Sequence, residues 1–225
     1  MSTTSLAHPP VDESPGYRRV AARLRQEILD GDVPPGGWLR LQAVAERCEV
    51  SIQPVREALQ LLEGEGLVEI YPNRGAQVRG VNRQRLINMF EIREAVESML
   101  TRRFCEEASL SDIRRVEAVQ KRHDQATRVR DRLATSAANY DFHHLINVGA
   151  GNEEAMILVE RHYDLNRSLH RSLQTGDEDY DRVREEHQLL IDAFHRRDCD
   201  AAAQISAQHI RGTIRVLLEN LDAQR

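Results

Sequence analysis

The sequence predicts a mainly α-helical protein in two parts. A small N-terminal head of three helices and a β-hairpin precedes an antiparallel, all-helical bundle of about six helices. Three observations carry this reading. Apolar residues recur at helical spacing along most of the chain, as at Val20, Leu24 and Ile28. Strand-like runs, LVEIY and AQVRGV, occur in one place, on either side of PNRG. Aromatic residues make up 4% of the chain and charged residues 30%, with abundant Ala, Leu, Arg and Glu, the composition of helices.

The elements follow in order. Residues 1–15, beginning MSTTSLAHPPVDESPG, lack the basic segment and apolar core of a secretory signal and read as a disordered tail. From Tyr17 a helix runs to about Gly31, where GDVPPGG breaks the pattern. A second helix spans about Leu41 to Cys48 with Val44 and Ala45 inward. In VSIQPVREALQLLEGEGLV, Ser51 is a good N-cap and Pro54 sits in the first turn, where its missing N–H costs little. Val55, Ala58, Leu59 and Leu62 form one apolar face of this third helix, and Gly64 and Gly66 end it. LVEIY and AQVRGV then form a hairpin, with Gly75 available for positive φ.

Helix, helix, helix, hairpin over residues 16–81 is a winged helix-turn-helix, with the hairpin as wing. After Val81 the strand pattern stops, and helices are expected over roughly 83–108, 111–130, 133–149, 153–174, 178–196 and 199–222. Ser111 and Asp112 open one, Gly149 and Gly151 close another, and Asp198 or Asp200 caps the last. Residues 82–225 are expected to form this second, helical domain, with apolar stripes broad enough for a bundle.

The rest of the composition narrows the function. A dedicated nucleic-acid coat would be basic, so a net charge of −5 argues mildly against DNA binding. A small reading head can still be locally basic on an acidic chain. No apolar run approaches the roughly 18 residues that span a bilayer. Cys48, Cys105 and Cys199 are scattered and form no CxxC, so a disulfide framework or zinc finger is not expected. A reduced, cytoplasmic location is expected.

A recognition helix in the major groove presents its N-terminal side chains to base edges. Here these are Ser51, Ile52, Gln53 and Arg56. Gln53 suits paired contacts with adenine, and Arg56 suits guanine or a phosphate. The plain alternative for Arg56 is a solvated charge, or an ion pair with Glu57 or Glu63. Arg74 and the compact Gly75 are placed by the wing. Over Tyr17 to Val81, SIQPVREALQLLEGEGLV followed by NRGAQV resembles the GntR family of bacterial transcription regulators. The resemblance implies binding of double-stranded operator DNA through these residues, with Gln42 from the second helix. Two positions depart from the family pattern. Ile52 stands where members usually carry Arg, so the operator should differ from the common family sequence. Glu49 stands where the helix-turn-helix corner usually has Gly, at a cost in turn strain.

In the helical part, NYDFHHLINVGAGN (139–152) raises the question of a metal. Residues four apart share a helix face, so Asn139 and His143 can grip one ion. Asp141 lies about 200° around the helix from His143, and His144 about 100°. His187, in REEHQLLIDAF, lies on a stripe with Leu190, Ile191 and Phe194. His209 lies in line with Ala202 and Ile205. His123, His162, His170 and His195 read as surface or ordinary packing residues.

The segment resembles the FadR-type branch of the GntR family, whose helical FCD effector domain often carries Asp-x-x-Phe-His and a later Gly-Asn. In that register His143 is the ligand histidine, and Asn139 stands where Asp is most common. The resemblance also reaches Glu186-His187 and the pattern of Asp198, Ala202 and His209. It implies a divalent ion held by Asn139, His143, His187 and His209. Nitrogen and oxygen donors without thiolate suit Zn²⁺, Ni²⁺, Mn²⁺ or Fe²⁺.

EIREAVESML (91–100) is similar to the first effector-domain helix of that family, where Arg93 would clamp a carboxylate bidentately. A helix ion pair between Arg93 and Glu97 is the alternative. The function expected is a ligand-responsive repressor. It would bind a pseudo-palindromic operator as a homodimer and release it when a small carboxylate or sugar acid binds near the metal. A metal-independent regulator sensing an acyl-CoA or another metabolite is the second reading. A helical metalloenzyme is the third, weakened by the lack of a placed general base and by the unexplained DNA-reading head.

Overall fold

The computed structural model describes residues 15–80, 82–160 and 178–223. Nearly all of the expected N-terminal tail, His162, His170 and the later part of the helix expected over 153–174 lie outside the described residues. The chain divides into two compact units between Gly80 and Val81.

In the first unit, α1 (Gly16–Asp30), α2 (Leu41–Cys48) and α3 (Ile52–Gly64) form the helical part. Val20, Leu24 and Ile28 of α1 and Val55, Ala58, Leu59 and Leu62 of α3 are buried, and these two helices pack on each other. Arg25 of α1 pairs with Glu65 just past α3, its Nε donating to Glu65 Oε2 at 2.9 Å. Ser51 is the N-cap residue of α3, but its hydroxyl makes no capping hydrogen bond. Glu49 takes the left-handed conformation (φ 55°, ψ 43°), so the turn has the geometry that favours glycine while carrying a glutamate.

The hairpin forms as β2 (Val68–Tyr71) and β3 (Gly75–Val78), with Tyr71 opposite Gly75 and Val68 opposite Val78. A third strand absent from the sequence expectation, β1 (Trp38–Leu39), pairs antiparallel with β3, giving the order β1-β3-β2. A strand of 2 residues has no alternation to read, which is why the pattern misses it. Gly75 (φ 105°) is buried, and a Cβ there would lie 2.1 Å from the Leu39 carbonyl oxygen. The glycine therefore lets β1 reach β3.

The second unit contains α4 (Arg83–Glu107), α5 (Leu110–Arg128), α6 (Arg132–Gly149), α7 (described over 153–160), α8 (Glu178–Arg196) and α9 (Cys199–Ala223). α4 packs chiefly on α9, and α5 on α6 and α8. Leu100, Phe104, Ile113, Val116, Phe142, Ile146, Leu190 and Phe194 share one core, with the Phe104 and Phe194 rings edge-to-face at 4.9 Å.

α5 starts earlier than expected. Ser109, not Ser111, is its cap, in a reciprocal capping box with Asp112. Asp198, not Asp200, caps α9 by accepting from the Ala201 N–H at 3.1 Å. Gly149 ends α6 where a side chain would lie 2.7 Å from the Phe104 ring.

Candidate metal centre and nucleic-acid interface

α6, α8 and α9 each bury a histidine on the face that packs into the bundle. His143 follows Phe142 into the interior, His187 shares its stripe with Leu190 and Ile191, and His209 lies beside Ile210. One nitrogen from each of His143, His187 and His209 falls within 4.8 Å of the others. His143 Nε2 and His187 Nε2 are 3.3 Å apart.

The outer nitrogens of His209 and His187 are already engaged. His209 Nδ1 is 2.7 Å from Glu186 Oε2, and Arg182 Nη1 donates to the same oxygen at 2.6 Å. A carboxylate only accepts, so Nδ1 of His209 carries a proton and Nε2 is the nitrogen turned to the other histidines. His187 Nδ1 is 2.8 Å from Gln120 Oε1, while Gln120 Nε2 donates to Asp124 Oδ1 at 2.8 Å. That second bond fixes the amide's orientation, so His187 Nδ1 is the donor and its Nε2 is left as a ligand atom.

The electrostatics favour neutral rings at His143 and His187. Burial, then the neighbouring His209, Arg93 and His123, hold His143 well below the ordinary histidine range. Burial, then His143, His209, His123 and Arg182, do the same for His187. Glu186 titrates below its usual range although its burial opposes this, because His209 and Arg182 hydrogen-bond its carboxylate.

The donor set fits a divalent ion. Ligand nitrogens about 2.0–2.1 Å from a tetrahedral centre lie about 3.4 Å from each other, close to the His143–His187 separation. Carboxylate and amide partners on the far nitrogens are the usual support for metal-ligating histidine. Without an ion, the 3.3 Å contact is a single N–H···N bond, with His143 as donor and His187 as acceptor.

The neighbours of His143 sort as helical geometry requires. Asp141 pairs with Arg122 at 2.9 Å, and His144 stacks on Tyr140 with ring centres 5.4 Å apart, both away from the histidine cluster. Asn139 is half-buried on the turn before His143. Arg93 is buried, and its Nε donates to Glu97 Oε1 at 2.7 Å over the face of Phe90. The helix ion pair given as the alternative for Arg93 thus forms inside the bundle, close enough to the cluster for the guanidinium to depress His143.

Sequence reasoning gave no role to Gln120, Asn147 or Arg182, and read His123 as a surface or ordinary packing residue. His123 is buried with its ring 5.4 Å from that of His187, and its Nδ1 has no hydrogen-bond partner. Asn147 is buried one turn beyond His143, with Nδ2 likewise unpartnered. The four-residue spacing from His143 was a usable signal for Asn147. The cross-helix partners Gln120 and Arg182 had none. His195 is exposed and lies 2.6 Å from Glu117.

In the first unit, α3 turns Ser51, Ile52, Gln53 and Arg56 outward, opposite its buried stripe. Gln53 Nε2 donates to Glu57 Oε1 at 2.8 Å, and Glu63 accepts from the Ile70 N–H at 2.8 Å. Neither acid pairs with Arg56, which is exposed and forms no ion pair among the described residues. Gln42 on α2 and Arg74 in the wing are also exposed, whereas Gly75 is buried and can offer a groove only its backbone.

Residues 16–78 match the family described as bacterial regulatory proteins, gntR family, and residues 88–212 match the FCD domain. The chain is 26% identical to the HTH-type transcriptional repressor GlaR of Escherichia coli K12, over 90% of this chain and 94% of that protein. It is 28% identical to the galactonate operon transcriptional repressor of the same organism, over 89% and 96%. The solved structure of E. coli McbR/YncC superposes with a TM-score of 0.76 at 20% identity, covering 92% of this chain and 99% of that one.

Proposed function

Starting from the fact that the chain belongs to the GntR family of transcriptional regulators and carries an FCD domain, we propose that it is a metal-dependent, effector-released repressor rather than a metal-free one. Family membership makes it a regulator and not an enzyme. The finer reading rests chiefly on one observation, the convergence of three buried histidines, two of which, His209 and His187, have their outer nitrogens tied back by Glu186 and Gln120.

His143, His187 and His209 would hold the ion, with Asn139 as a weak oxygen donor from α6. The ion would supply a Lewis-acidic anchor for an oxygen ligand. The chain's own groups favour a small polar anion as effector. Arg93 brings a guanidinium to the interior, paired there with Glu97, and His123 and Asn147 each hold a buried polar atom in want of a partner. A relative named for the galactonate operon supports a sugar acid.

Two copies would read two half-sites of a pseudo-palindromic operator through Gln42, Ser51, Ile52, Gln53, Arg56 and Arg74, with the backbone at Gly75 against the groove. Effector binding would lower operator affinity to the extent that it favours the released state. Among the described residues no helix is long and apolar enough to cross a membrane. The cytoplasmic location stays part of this reading.

The test is metal content of untagged protein by mass spectrometry, for wild type, His143→Ala and His144→Ala, each then titrated with sugar acids in a thermal-shift assay. About one ion per chain is expected in wild type and His144→Ala, and none in His143→Ala. Stabilisation by an acid should require the ion. Wild type that stays metal-free after loading with Zn²⁺, Ni²⁺ and Mn²⁺ refutes the metal reading and leaves a regulator whose histidines act by hydrogen bonds alone.

A further inference from the structure

The helical unit holds two of the chain's three cysteines, and the fold brings them together. Cys105, near the end of α4, is fully buried, and Cys199, the first residue of α9, is half-buried. The Cys199 thiol donates to Cys105 Sγ at 2.8 Å across 94 residues of sequence. The packing of α4 on α9 makes this meeting, not local chain geometry. The same two helices are joined nearby by the Arg102–Asp200 ion pair and by the Thr101 to Ser206 hydrogen bond at 3.2 Å.

The two sulfurs differ in access. Cys199 opens α9 directly after its cap residue Asp198, at the half-buried start of the helix. Arg197 donates to the carbonyls of Cys105 and Ala108, which sets its guanidinium beside the pair. Burial, then the Cys199 contact, push the Cys105 thiol up to about 12. Cys105 is therefore the resolving partner, and the more accessible Cys199 the attacking one.

We propose that Cys105 and Cys199 form a reversible disulfide when the protein meets hydrogen peroxide, cross-linking α4 to α9. Cys199 sulfur attacks one peroxide oxygen. An S–O bond forms, the O–O bond breaks, and the departing hydroxide leaves as water with the Cys199 proton. Cys105 sulfur then attacks the sulfenic sulfur. The S–S bond forms, the S–O bond breaks, and the second hydroxide leaves as water with the Cys105 proton. Two thiols are oxidised and one peroxide is reduced to two waters. The cross-link holds the start of the helix that carries His209 against the helix that carries Arg93, so oxidation stiffens the frame of the histidine cluster.

The test uses the full-length protein, reduced, freed of reductant and treated with a small excess of hydrogen peroxide. Two of three thiols should be lost, with a mass decrease of two hydrogens and a peptide cross-link between Cys105 and Cys199. Cys48 should stay alkylatable, and dithiothreitol should restore all three thiols. In Cys105→Ser, Cys199 should accumulate as a sulfenic acid trapped by dimedone. In Cys199→Ser, Cys105 should stay reduced. Circular dichroism would show that both variants are folded, and only the wild type should gain thermal stability on oxidation. Three titratable thiols after peroxide, or a cross-link through Cys48, would overturn the proposal. Neither result depends on whether the histidines hold metal.

Discussion

Removing the amide that orients His187 gives a sharp test of the site. In Gln120→Leu the acceptor 2.8 Å from His187 Nδ1 is gone, and an apolar leucine fills its place against an imidazole that is fully buried. Two costs follow. The orphaned N–H destabilises the fold by about 1–3 kcal/mol. The ring is also freed to move its proton to Nε2, where a ligand needs a lone pair. Loss of such a supporting partner weakens metal binding by about 10–100-fold, or about 1.4–2.7 kcal/mol.

Zn²⁺ affinity would be read by competition with a chromophoric chelator at neutral pH, and stability by urea unfolding of the chelator-treated protein. Gln120→Glu keeps an acceptor and should retain most of the affinity. A Leu variant that binds Zn²⁺ as tightly as wild type would refute the orienting role, while leaving the three-histidine site intact.

Glu49→Gly relieves a left-handed glutamate (φ 55°) and should stabilise the N-terminal unit by about 1 kcal/mol in urea unfolding; no gain would mean the turn is unstrained. Gly149→Ala drives a methyl to 2.7 Å from the buried Phe104 ring and should cost about 1–3 kcal/mol, checked by thermal unfolding. In chelator-treated protein, His143 and His187 titrate well below their unfolded value. The unfolded chain then binds protons the native state refuses, so stability should be level above about pH 7.5 and fall below about pH 6, by up to about 2.7 kcal/mol per pH unit. Urea midpoints across that range check the sign, and a rise in stability on acidification would contradict it.

Much of the fold was legible because its elements are long and periodic. The stripes of α1 and α3 name the buried residues of the head, and α4, α5, α6, α8 and α9 begin and end within a few residues of the expected positions. The misses were local. The two-residue strand β1 has too little sequence to carry a period, and Ser109 took the cap of α5 because its hydroxyl and Asp112 satisfy each other's backbone N–H groups. The exposed face of α3 was also readable, since a buried stripe on α3 forces Gln53 and Arg56 to the opposite side.

The histidines divide along the same line. Sequence by itself determined that His187 and His209 sit on apolar-facing stripes, and that Asp141 and His144 turn away from His143, because helical phase is a local property of the chain. The tertiary structure alone decided what those rings meet. It set Gln120 of α5 behind His187 of α8, Glu186 of α8 behind His209 of α9, His123 against the cluster, and Cys105 against Cys199. Each of these pairs joins different helices, and the register in which one helix packs on another is fixed by the whole core, not by the spacing of residues within either helix.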